Sequence, residues 1–325
     1  MGGRYQRLGW MVALAAVLAC GGAASASAEK LRVGKPQAEV FSFVPLDIGI
    51  EQGIFAKHGL EVEGIALGGA AKLQQALAAG AVEIGLGSGP GMSFAAKGAP
   101  QIGIAMMAGR PTIMALTVAK DGPVKTVADL KGQTLSISAP GGVPEWLARE
   151  LSRQQGWGPD GMKLIGLGAD SSQVAALRTG QVVGFPNDIF LATRLEEQGI
   201  SRILVRFGDI VPVFVMHVIF ANDKAIAERP DDMRRFLAGW FETITFMRKN
   251  KPASIKIATE VTHVSPEIID RVYDTVMPMF SDDGHFDPKA LEVMKHSFVE
   301  LGLLPTEPDM SKLYTEKFLP ALAAK

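Results

Sequence analysis

The residues of this chain best placed for chemistry are glycines at the starts of helices. Gly68-Gly69-Ala70 leads into the strongly helical run AAKLQQALAA, and Pro140-Gly141-Gly142-Val143-Pro144 leads into a second long helical stretch. A helix start presents unpaired N–H groups and the positive end of the dipole, which suits an anion. A tight turn alone also accounts for either loop. If the two starts faced each other, Gly69, Gly141 and Gly142 would grip an anion from both sides. Ser88-Gly89-Pro90-Gly91 adds a hydroxyl and unhindered backbone, which makes Ser88 and Gly89 candidates for ligand contact. None of these glycines completes a G-x-G-x-x-G or phosphate-loop pattern, so they point to no nucleotide.

Rings and charges supply the remaining candidates. Phe41 and Phe43 follow the first strand-like segment, where they either sandwich a flat ligand or fill core. Arg110 follows the strand-like segment Ile102–Met107; its fork would clasp a carboxylate or sulfonate, or lie in solvent. Asn187 and Asp188 follow a strand in the second half of the chain. Asp188 either caps the helix that begins there or accepts from an amine or heterocycle N–H. Trp146 lines a cleft or packs in core. The five histidines have no metal-ligand spacing, and only His217 lies where it could face a cleft. Cys20 is the one cysteine, so the mature protein is expected to hold no disulfide, no thiol nucleophile and no cysteine-bound metal. No catalytic constellation and no cofactor are predicted.

The elements that must position these residues alternate. After Leu31–Gly34 as a strand, Pro45–Lys57 has helical spacing. Residues 60–66 and 82–86 read as strands on either side of the 70–79 helix, and 92–97 and 102–107 as a helix and a strand. A second series repeats the pattern: strands at 134–138, 163–167, 181–185 and 202–205, helices at 144–155, 171–179 and 188–198. Residues 213–220 are strand-like, and beyond them the chain is almost wholly helical, with Pro230, Pro252, Pro266 and Pro288 near helix starts. Strand–helix alternation on this scale predicts parallel-rich sheets covered by helices.

Composition agrees with a globular α/β protein. Hydrophobic residues make up 47% and charged residues 21% of 325. No basic stripe marks a nucleic-acid partner. Residues 1–28 have the form of an export signal: Arg4 and Arg7, an apolar run from Trp10 to Ala19, and Ala26-Ser27-Ala28 as a cleavage site. Val17-Leu18-Ala19-Cys20 offers a competing lipoprotein route through Cys20. The expected address is the periplasm. No later apolar run reaches the ~18 residues a spanning helix requires.

Four phrases carry a resemblance. Residues 43–63, FVPLDIGIEQGIFAKHGLEVE, resemble the opening of the nitrate/sulfonate/taurine and thiamine-precursor (NMT1/THI5-like) binding proteins. Ala78–Gly85 (AAGAVEIG), Val127–Gly132 (VADLKG) and Ala176–Val182 (ALRTGQV) resemble further elements of that family, in the same order. Glu83 stands where the family has Asp, and Val183-Gly184 replaces Asp-Ala. The resemblance implies a type II periplasmic-binding-protein fold, two α/β lobes joined by a two-strand hinge. The first lobe would comprise residues 29–115 and 216–325, the second 116–215. It also implies a monomeric receptor that closes on a small-molecule ligand, a sulfonate-, taurine- or nitrate-like anion or a heterocyclic precursor. That ligand would pass to an ABC permease in the inner membrane. Two alternatives are a sensor for a membrane partner and an enzyme on the same fold similar to thiamine-pyrimidine synthases, whose cysteine ligands this chain lacks after Cys20.

Overall fold

Two five-stranded sheets with the same strand order organise the protein. The computed structural model describes residues 30–320; the proposed export signal and Cys20 lie outside them. The first sheet has the order β2-β1-β3-β10-β4, built from β1 (Leu31–Lys35), β2 (Val62–Ala66), β3 (Ile84–Ser88), β4 (Gln101–Ala108) and β10 (His217–Asn222). The second has the order β7-β6-β8-β5-β9, from β5 (Met114–Ala119), β6 (Thr134–Ile137), β7 (Lys163–Gly166), β8 (Gly184–Asp188) and β9 (Ser201–Arg206). In each sheet the fourth strand alone runs against its neighbours: β10 is antiparallel to β3 and β4, and β5 to β8 and β9. The geometry has a simple cause. β5 and β10 are the first strands laid down after the chain crosses from one sheet to the other. A strand that starts at the gap must run away from it, while the parallel strands end there. The carboxyl ends of both parallel sets therefore meet across one cleft, where open α/β sheets bind ligands.

Helices follow the predicted order, with informative differences. The 45–57 segment divides into α1 (Val44–Glu51) and α2 (Ile54–Lys57), because Gly53 takes φ 64° between them. α3 (Ala70–Ala78) and α4 (Met92–Ala96) cover the first sheet; α5 (Val143–Gln154), α6 (Asp170–Arg178) and α7 (Ile189–Glu197) cover the second. The short α8 (Phe207–Ile210) and α9 (Asp223–Glu228), on either side of β10, have no counterpart in the sequence reading. The C-terminal helices are α10 (Pro230–Lys249), α11 (Lys251–Thr262), α12 (Pro266–Val276) and α13 (Pro288–Glu300). Each has proline in its first turn, where no backbone donor is lost.

The family departures have structural causes. Glu83 Oε2 accepts from the Arg32 N–H at 2.8 Å and the carboxylate also pairs with the Arg32 guanidinium, strapping β1 to the approach to β3. At Gly184 a Cβ would stand 2.4 Å from the Thr117 carbonyl oxygen on β5, so no larger residue fits.

One apolar core runs through both lobes. Trp146 of α5 stacks on Phe214, which precedes β10, at 4.3 Å between ring centroids. Lobe-to-lobe ion pairs flank the cleft: Arg153 of α5 with Glu300 of α13 at 3.1 Å, and Arg271 of α12 with Glu197 of α7 at 2.8 Å. No helix among the described residues is long and apolar enough to cross a membrane.

Candidate functional site

Between the sheets lies a cavity of about 620 Å³ with walls from both lobes. The first lobe contributes the segment Gln37–Phe41 after β1, with Ala66 and Gly68 at the end of β2. The second contributes Asp170 at the start of α6, Asp188 at the end of β8, and Phe190, Leu191 and Arg194 of α7. Thr262, the last residue of α11, and Val264, before α12, close one side.

Phe41 lies in a 3-10 turn and does two things at once. Its ring lines the cavity and meets Phe190 of the other lobe at 4.8 Å, with Tyr273 edge-on at 6.1 Å. Phe43 is buried deeper, edge-to-face with His217 at 5.3 Å. Burial without a partner holds the His217 imidazole neutral, with its pKa lowered to about 3, and its Nδ1 has no hydrogen-bond partner.

The helix starts are arranged differently from the sequence reading. Gly69 takes φ 143°, a conformation reserved for glycine, and its N–H donates to the Pro36 carbonyl at 2.7 Å. Gly68, not Gly69, reaches the cavity. Across from it stands Asp170 of α6, not the Gly141-Gly142 loop. The reason is topological: α6 follows β7 as α3 follows β2, so these two starts are equivalent in the two lobes. At α5 the Gly141 N–H is taken by the Glu145 carboxylate at 2.8 Å, which Arg149 holds from behind. The Gly142 carbonyl accepts from Trp146 N–H within the helix. A Cβ on Gly141 would meet the Leu303 side chain at 3.0 Å.

Ser88 ends β3 opposite His217, and Gly89 donates to the Met216 carbonyl at 3.1 Å. Both belong to the junction with β10 and are not among the cavity-lining residues. Arg110 spans the crossing between the sheets, donating through Nη2 to the Gly208 carbonyl at 2.5 Å.

Asn187 and Asp188 lie within β8, not beyond it. The strand runs three residues past the predicted end because pairing with β5, Met114 against Asp188, sets its length. Pro186 is tolerated inside it because β6 pairs with β8 only at Leu135–Gly184, leaving no ladder at the proline on that side. Asn187 is buried; Nδ2 donates to the Phe185 carbonyl, and Oδ1 has no partner. Asp188 both caps α7 and faces the cavity. Oδ1 accepts from Phe190 N–H at 2.7 Å, and the second oxygen remains for the cavity. Removal of water pushes the Asp188 carboxyl up to about 7, against the pull of that N–H and with a further push from Asp170. Asp170 is itself raised by its surroundings despite Arg194 nearby.

This geometry predicts a pH effect. The unfolded Asp188 releases its proton near ~3.9, the folded one near 7. The fold therefore favours the protonated form, and that contribution to ligand-free stability is lost as pH rises through 7. Asp188→Asn keeps an equally good N-cap and removes the ionisation. Melting curves should place the variant above the parent at pH 8, with the gap closing toward pH 5. A gap of equal size at every pH would remove Asp188 as its source.

The sequence reading missed Glu39, Asp170, Phe190, Arg194 and Thr262. Only Asp170 had a local signal: Gly168-Ala169-Asp170 follows β7 as Gly68-Gly69-Ala70 follows β2. Elsewhere on α13, Glu292 and His296, with Glu307, bring metal-ligating atoms within 4.8 Å. That cluster is exposed, and Lys295 already pairs with both carboxylates.

Comparison with known proteins places this architecture. No curated protein matches the chain in sequence. The aliphatic sulphonate binding protein SsuA of Escherichia coli superposes with a TM-score of 0.75 over 92% of this chain and 95% of its own, at 20% identity. The alkanesulfonate-binding protein SsuA of Xanthomonas axonopodis pv. citri, bound to MOPS, gives 0.73 over 88% and 98%, at 16% identity. The desulfurization enzyme DSZB gives 0.64 over 88% and 97%, at 13% identity, so the fold serves binding proteins and at least one enzyme. Likeness at these identities concerns the fold, a two-lobed periplasmic-binding-protein fold of the SsuA type. The family model described as NMT1/THI5 like matches residues 40–255, about two-thirds of the chain, and the protein belongs to that family.

Proposed function

We propose that the protein is the solute receptor of an ABC importer. It is exported to the periplasm, closes as a monomer on one small organic solute, and presents both lobes to an inner-membrane permease. Residues 29–115 and 216–325 would move against 116–215, with the crossings beside β5 and β10 as the hinge. The observation that carries this reading is the cavity walled by the strand ends of both lobes, with Phe41 of one against Phe190 of the other. A solute that touches both walls binds only the closed state and so stabilises it. The flat rings favour a ligand with a flat apolar part.

Native mass spectrometry of protein purified without unfolding should reveal one small molecule per chain. Stripping it should lower the melting temperature and enlarge the radius of gyration measured by scattering. Identical scattering with and without the captured solute would sink the receptor reading. Chemical turnover of that solute would replace it with an enzyme on the same fold, as in DSZB.

A further inference from the structure

Within the receptor reading, on which this inference rests, the charge of the cavity sets the class of solute. Its ionisable lining comprises three carboxylates, Glu39, Asp170 and Asp188, and one guanidinium, Arg194. Arg194 is outnumbered and lies near Asp170, and the other devices that would hold an anion are already engaged elsewhere. Lys35, at the end of β1, is buried in an ion pair with Asp47 at 2.6 Å. Arg110 is turned to the Gly208 carbonyl, and the N–H groups of Gly69 and Gly141 are taken by Pro36 and Glu145. The Thr262 hydroxyl is likewise engaged, donating to the Ala258 carbonyl at 2.7 Å and accepting from the Val264 N–H at 3.3 Å. With three carboxylates to one guanidinium, the site carries an excess of negative charge where a sulfonate would require positive charge.

We propose that the cleft selects a cationic solute, a protonated amine or amidinium carried on a flat apolar body, and rejects sulfonates. The cationic group would lie between Asp188 and Asp170, one carboxylate from the end of β8 and the other from the start of α6. The apolar body would lie against Phe41 and Phe190, whose ring faces also attract cations. The raised proton affinity of Asp188 agrees: a desolvated carboxylate with a second carboxylate nearby favours a neutralising partner, whether a proton or a cation.

The test uses the mature full chain, freed of captured solute, with benzamidine and benzenesulfonate as probes of similar shape and opposite charge. Calorimetric titration at pH 7.5 should show benzamidine binding at least ~10-fold more tightly than benzenesulfonate. Asp188→Asn, which retains the helix cap, and Asp170→Asn should each weaken benzamidine by about 10-fold. Asp121→Asn, an exposed carboxylate on a distant turn, serves as the control and should leave it unchanged. Benzenesulfonate binding as tightly as benzamidine, with Phe41→Ala abolishing it, would overturn the charge assignment and leave the receptor reading intact. Unaltered benzamidine affinity in both aspartate variants would also overturn it. Failure of benzamidine to bind at millimolar concentration would overturn the charge assignment, while the receptor reading stands or falls with the captured solute and the scattering.

Discussion

Phe41→Ala is expected to lower the melting temperature, enlarge the ligand-free radius of gyration and abolish solute binding together. The ring is 2% exposed and bridges three pieces of chain: its own turn after β1, α7 of the second lobe through Phe190, and α12 through Tyr273. Truncating a buried phenylalanine costs about 3 kcal/mol or more in lost transfer energy and residual cavity, here several degrees of melting temperature for a chain of this size. The distribution of that loss matters as much as its size. The contact with Phe190 exists only while the lobes are together, so its removal shifts the balance toward the open form as well as weakening the fold. The ion pairs Arg153–Glu300 and Arg271–Glu197 also join the lobes, but such partly exposed pairs contribute about 1 kcal/mol or less each. The aromatic contact therefore dominates. If Phe41→Ala melted with its parent and scattered identically, closure would have to be held by something other than this pair.

Gly89→Ala should be the most damaging single methyl addition. A Cβ there would stand 2.0 Å from the Val215 carbonyl oxygen and 2.6 Å from Met294 Cε. The methionine methyl can swing aside. The carbonyl cannot, because Val215 leads directly into β10, whose pairing to β3 and β4 completes the first sheet. Relief would require moving a strand that also forms the return crossing between lobes. A cost of about 3 kcal/mol is expected, at the upper end of overpacking effects. Gly142→Ala is the matched comparison: its nearest neighbours would lie at 3.5 Å, ordinary contact. That variant should stay within about 1 kcal/mol of the parent. Thermal melts of the two proteins decide the matter, and equal midpoints would refute the close approach at Gly89.

Gly89 and Asp188 also show how far local sequence carries function here. Both were singled out as ligand contacts because each follows a strand. Asp188 lines the cavity, whereas Gly89 is required by the packing of backbone on backbone. A glycine that admits a ligand and one that admits another strand look alike in sequence, since both simply lack a Cβ. Arg110 repeats the lesson: its fork can serve a sulfonate or a carbonyl, and the crossing at Gly208 supplies the carbonyl.

The sequence alone determined most of the order of strands and helices, though not β5, α8 or α9, together with the helix starts marked by proline and by capping residues and the family, because these depend on neighbours a few positions apart. Strand ends were less legible; β8 runs past Phe185 to Asp188 because its partner β5 lies some seventy residues earlier in the chain. Tertiary structure alone decided that Asp170 and not Gly141 faces Gly68, that Glu145 fills its own helix start, and that Glu39, Asp170, Asp188 and Arg194 share one cavity. The physical reason is that charge complementarity depends on distances of a few ångströms between groups far apart in sequence. Those distances are set only when the two sheets have folded and met.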